Sequence, residues 1–136
     1  MGAWSHESFG NDDACDWVSQ LVDSNDLTVV ETTLDAVMNI GMDYLEAPQA
    51  CEGIAAAEVV ARLQGHFGQK DAYSESLDQW VSESKFKPSL SLAAKAHRAL
   101  DRIISEPSEL FELWHEGDEG TKWMGAVRDL RNRISV

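Results

Sequence analysis

Apolar residues along the chain recur at spacings of three and four, and no stretch alternates at every second position, so the pattern predicts helices and no strands. Asn11 is suited to cap a helix. After it Ala14, Trp17, Val18, Leu21 and Val22 share one face, with Asp12 and Asp13 at the positive helix start, which predicts a first helix over residues 12–23. Asp26 is a natural cap for a second helix, in which Val30, Leu34, Val37, Gly41 and Tyr44 keep the same step and which ends near Leu45. Pro48 fits the first turn of a third helix carrying Ile54, Ala57, Val59, Val60 and Ala61 as far as Gly65, and the run Ala55-Ala56-Ala57 implies a close helix contact.

Residues 65–74 carry two glycines and no period, and read as the longest loop. Ser74 or Ser76 then caps a short fourth helix with Leu77, Trp80 and Val81, broken before Pro88. Ser89 or Ser91 caps a fifth helix with Ala93, Ala96, Leu100, Ile103 and Ile104 on one face. A sixth helix follows Pro107 with Leu110, Phe111, Leu113 and Trp114, residues 117–120 make a turn, and the last helix shows Trp123, Val127, Leu130 and Ile134. Seven helices, mostly short turns and no lasting heptad predict an all-α fold: a single irregular bundle of about seven helices over residues 1–136. Trp17, Trp80, Trp114 and Trp123 fit apolar stripes and are expected in the core, while Trp4 beside Phe9 reads as an arm packing its aromatics back onto the bundle.

Charge changes the picture more than composition does. With 24 acidic and 11 basic residues the net charge is −13, which repels a phosphate backbone and argues against direct nucleic-acid binding. Residues 1–84 hold 16 acids against Arg62 and Lys70, a net of −14, whereas residues 85–136 are nearly neutral. One strongly negative surface is expected, serving either a partner or solubility. No apolar run approaches the roughly 20 residues of a membrane span, and the polar, acidic opening is unlike a secretory leader, so cytoplasmic residence is expected. His6 stands where a myristoylation signal needs Ser or Thr. Cys15 and Cys51 suit reduced, partly buried thiols rather than a disulfide scaffold or a metal site.

Catalytic signatures are scarce: the chain has no phosphate-binding glycine loop, no GxSxG, no HExxH and no dinucleotide fingerprint. His6, His66, His97 and His115 lie far apart, and no metal or other cofactor is expected. Asp12, Asp13 and Asp16 cluster on the first helix, where the helix dipole already accounts for acids at the N-terminus. Glu58 is stranger, because it falls within an apolar stripe where an unpaired charge costs several kcal/mol; Arg62, one turn on, is the expected partner.

The opening MGAWSHESFGNDDACDWV resembles the start of the bacterial domain-of-unknown-function 4259 family through Gly2, Trp4, Phe9, Asn11, Asp12, Ala14, Asp16 and Trp17. Ser5 and Glu7 replace two glycines of that pattern. Similar stretches are Ala56-Ala57-Glu58-Val59-Val60, Ala99-Leu100-Asp101-Arg102, Ser108-Glu109-Leu110 with Leu113-Trp114, and Trp123 with Asp129-Leu130. The family has no established enzymatic activity, and small acidic proteins resembling it look like immunity partners of secreted bacterial toxins, nucleases among them. The resemblance implies a non-enzymatic protein that binds its cognate toxin and occludes a basic active-site cleft. The expected contact residues are acids on the polar sides of helices two and three: Asp35, Asp43, Glu46 and Glu52. A housekeeping or regulatory interaction module is the alternative reading, and an enzyme using Asp12, Asp16 or Glu58 is a third.

Overall fold

Gly53, the three alanines after Ile54 and Ala61 let neighbours approach one helix from every side, and that helix is the centre of the protein. A computed structural model describes residues 8–24, 26–68, 70, 72, 74–84, 86–115 and 119–136. Among them run α1 (Asp12–Leu21), α2 (Thr28–Asn39), α3 (Ala47–Leu63), α4 (Glu75–Ser84), α5 (Leu90–Ile103), α6 (Glu109–His115) and α7 (Glu119–Arg133), with no strand. Each of the other six helices touches α3, whose residues are all buried from Gly53 to Arg62. A Cβ on Gly53 would stand 2.8 Å from Val37 Cγ2 and 3.2 Å from Ile103 Cδ1, so this glycine sets how closely α2 and α5 approach. The all-α bundle expected from the periodicity is the fold observed.

Local chemistry places the helix ends. Asn11 accepts a 2.7 Å hydrogen bond from the Ala14 amide and starts α1, and Ser89 does the same for α5 through Leu92. Asp26 accepts from the Thr28 amide at 3.0 Å, at the first residue of α2. Gly65, at φ +87°, ends α3: its amide bonds the Arg62 carbonyl and the His66 amide bonds the Ala61 carbonyl, the paired arrangement that satisfies carbonyls at a helix end. The carbonyls at and just beyond the end of α7 are taken by side chains from elsewhere: His66 Nδ1 donates to Arg133 O, His97 Nε2 to Ile134 O, and Gln64 holds both the amide and the carbonyl of Ser135.

Several boundaries differ from the sequence expectation. The first helix stops at Leu21 rather than 23. The second stops at Asn39 rather than Leu45, because Gly41 at φ +61° turns the chain back and bonds the Met38 carbonyl. Gly41 and Tyr44 therefore leave the α2 stripe, and Tyr44 is exposed. Glu119 and Gly120, expected in a turn, already belong to α7. Trp17, Trp80 and Trp123 are buried, and the first two satisfy their indole N–H on Thr33 Oγ1 and the Ser24 carbonyl. Trp114 is only half-buried, since α6 packs as a short outer helix against α7. Trp4 and His6 lie outside the described residues, whereas Phe9 is fully buried. Cys51 is buried and Cys15 partly so, and the Cys15 thiol donates to the Phe9 carbonyl. No helix among the described residues is long and apolar enough to cross a membrane.

Candidate partner interface

The chain between α2 and α3 is pinned from behind, and so presents two large apolar side chains to solvent. Leu45 is fully buried and forms an isolated parallel bridge with Ser108: its amide donates to the Pro107 carbonyl at 3.1 Å, and its carbonyl accepts from the Glu109 amide at 2.8 Å. Glu109 then caps α3 from outside, accepting a 2.7 Å hydrogen bond from the Ala47 amide. Arg102 supplies the other anchor, its guanidinium donating to the carbonyls of Gly41, Asp43, Ser105 and Pro107 at 2.8 to 2.9 Å. A planar fork of five donors is suited to gathering four carbonyls from two loops. With the backbone held in this way, Met42 is 84% and Tyr44 47% exposed.

Acids surround the Tyr44 side chain. Tyr44, Glu46 and Glu52, with Ile40, Pro48 and Gln49, line a groove of about 380 Å³. The Tyr44 hydroxyl donates to Glu112 Oε2 at 2.6 Å. That hydrogen bond first, then burial and the charges of Glu112, Glu109 and Glu46, push its phenol up to about 12. Burial and then the nearby Asp13 raise the Glu52 carboxyl. Burial also pushes the neighbouring Cys51 thiol up to about 12, with smaller contributions from Asp13, Glu52 and Glu109. The negative potential thus extends from α1 across α3 to α6.

Of the four acids expected from the sequence, Glu46 and Glu52 share this groove, and Asp43 sits in the same connection. None of the three makes an ion pair with a described residue. Asp43 and Glu46 are not on helix faces, because α2 ends before them. Asp35 does not join the group. It lies on α2 against α5, where Lys95 Nζ binds it at 2.8 Å and Glu31 at 3.1 Å, and both carboxylates hold that ammonium above its usual range. Sequence reasoning missed Met42 and Tyr44 as surface residues; Gly41, read as a helix position, was the available sign of an early stop. It also missed Arg102 as the anchor, since four backbone carbonyls leave no sequence signature.

Glu58 belongs to a different, internal assembly. It is 2% exposed, with Arg62 Nε 3.3 Å from Oε2, Arg133 Nη2 2.7 Å from Oε1, and Ser8 Oγ donating to Oε1 at 3.0 Å. Arg62 reaches on to Asp78, which also accepts from Ser74, and its guanidinium lies between the rings of Phe9 and Phe67 at 5.3 and 5.4 Å. Burial works against the Arg133 charge, but Glu58 and Asp129 outweigh it and raise its pKa. The buried Glu58 thus meets the buried Arg62 and the partly buried Arg133, which is the pairing a buried carboxylate requires. Arg62 was expected as the partner; Arg133 was not. Gly68 packs on Arg133, so a Cβ there would stand 2.6 Å from Cζ. This cluster ties the segment before α1 and the loop after α3 to α4 and α7. Asp12 and Asp16 are exposed on α1, and no three His, Cys, Asp or Glu among the described residues gather as metal ligands.

No curated protein and no solved structure matches the chain. Apart from Arg133 and its partner Asp129, the residues that build both assemblies, including Phe9, Glu58, Arg102, Ser108 and Glu109, fall within residues 2–126, which match the model of a domain of unknown function, DUF4259, and the chain belongs to that family.

Proposed function

We propose that the protein binds, rather than transforms, a basic protein partner through the face formed by Met42, Asp43, Tyr44, Glu46 and Glu52. The observation that carries this reading is the exposure of Met42 and of Tyr44, the latter among carboxylates without cationic partners among the described residues, on a backbone fixed by Arg102 and Glu109. Tyrosine and methionine are enriched in the centres of protein interfaces, and a rigid connection loses little entropy on binding. Acids beside them select a positively charged surface and speed encounter. The partner we assign is a secreted bacterial toxin of nuclease type, whose DNA cleft is basic; the acidic face would cover that cleft in the cytoplasm. This finer part rests on the likeness of small acidic immunity proteins to the family.

The test sequences the genes beside that of this protein, mixes the purified chain with any nuclease toxin encoded there and follows DNA cleavage; a neighbourhood without such a toxin would count against the immunity reading. Wild-type protein is expected to block cleavage at equal stoichiometry. Tyr44→Ala is expected to weaken the complex about thirtyfold or more, the size of an interface hot spot. Glu46→Lys with Glu52→Lys should weaken it further, and Asp35→Lys much less, because Asp35 faces Lys95. Cleavage unaffected by the wild-type protein would remove the immunity reading. Inhibition untouched by Tyr44→Ala and the paired reversals would place the contact on another face.

A further inference from the structure

A second surface, between α6 and α7, has the opposite character. Thr121, Met124, Gly125 and Arg128 recur at three, four and seven residues and so share one face of α7, opposite Phe111 and Trp114 at i and i+3 on α6. Trp123 closes the inner wall and is 4% exposed. The groove measures about 480 Å³, within the roughly 300 to 1,000 Å³ of small-molecule sites, and such sites combine apolar and aromatic walls with a few polar groups. Among the described residues lining it, Arg128 is the only charge, and it makes no ion pair with a described residue.

Gly125 adds an independent observation. Glycine inside a helix is unfavourable, and its use there is explained where something approaches closely, as Val37 and Ile103 approach Gly53. At Gly125 a Cβ would meet nothing within 4 Å, so no part of the described protein uses the space it leaves. That space opens onto the groove.

We infer that the α6–α7 groove binds a small aromatic carboxylate, its ring stacked among Phe111, Trp114 and Met124 over Gly125 and its anion paired with Arg128. A guanidinium on the rim of an aromatic groove, in a protein of net charge −13, selects an anion that the rest of the surface repels. The site is separate from the acidic face and does not depend on what binds there.

The test is ligand-observed saturation-transfer NMR on the full chain, with indole-3-acetate and uncharged indole-3-acetamide as probes at millimolar concentration. Wild-type protein is expected to bind both, the acetate about tenfold more tightly, as one charge-assisted pair implies. Arg128→Gln should bind the two alike. Gly125→Leu, which fills the open space, should bind neither while circular dichroism shows an intact bundle; Thr121→Trp, on the same helix face, gives an independent blockade. Absence of binding to the wild type, equal affinity for the acetate and the amide, or acetate binding that survives both blocking substitutions would each overturn the inference.

Discussion

Glu58 shows how much one side chain can demand of a fold. Removing it as Glu58→Ala leaves the buried Arg62 and the partly buried Arg133 without their shared carboxylate, and the expected loss is about 3 to 5 kcal/mol, measured as a lower urea midpoint. A midpoint within experimental error of the wild type would mean that water replaces the carboxylate. Half of this arrangement was legible beforehand: an acid on an apolar stripe with an arginine one turn on predicts the pair, whereas Arg133 lies 75 residues away and only tertiary packing brings it near. Tyr44 carries a pH dependence of its own. Its folded pKa of about 12 is raised from 10.0, so its hydrogen bond to Glu112 helps hold the connection below pH 10 and is lost as pH rises through about 12. Absorbance titration of wild type against Tyr44→Phe should assign a phenol ionising near 12; a midpoint near 10 would show that the Glu112 contact does not persist in solution.

Among the helices, Gly53 in α3 and Gly125 in α7 predict opposite outcomes for one substitution. At Gly53 a methyl group meets Val37, whose β-branched side chain is stiff, so Gly53→Ala is expected to cost about 1 to 3 kcal/mol. At Gly125 it meets nothing, and Gly125→Ala should gain about 0.5 to 1 kcal/mol from helix propensity. Thermal or urea unfolding of the two variants checks both signs, and destabilisation at Gly125 would contradict the open space seen there. The existence of the helices followed from periodicity, and Asn11, Ser89 and Gly65 marked their ends because capping is local chemistry. The end of α2 escaped because Val37, Gly41 and Tyr44 continue the helical step in sequence while the Leu45 bridge to Ser108 and the hold of Arg102 redirect the chain. Local pattern and long-range anchoring disagreed, and anchoring won.

At the scale of the whole molecule, charge distribution rather than shape sets how the proposed complex forms. Screening length falls from about 8 Å at physiological salt to about 3 Å at 1 M, so association steered by Asp43, Glu46 and Glu52 should slow steeply with added salt while dissociation changes little. Surface plasmon resonance over that range measures both rates; an association rate indifferent to salt would assign the acidic half to solubility alone. The imbalance was plain from the sequence. Which acids lack a cation was not, since Asp35 and Asp43 look alike along the chain until the fold brings Lys95 to Asp35 and no described cation to the Asp43 carboxylate.

The ion cluster around Glu58 also sets an order of events during synthesis. Glu58 emerges with Arg62, but Arg62 is shared with Asp78, and Arg133 is made 75 residues after Glu58. At about 5 to 20 residues per second the ribosome needs roughly 4 to 15 s to supply that second cation. Until then Glu58 has only Arg62 as its cation, itself shared with Asp78, so the two-arginine cluster can be completed only once α7 has been made.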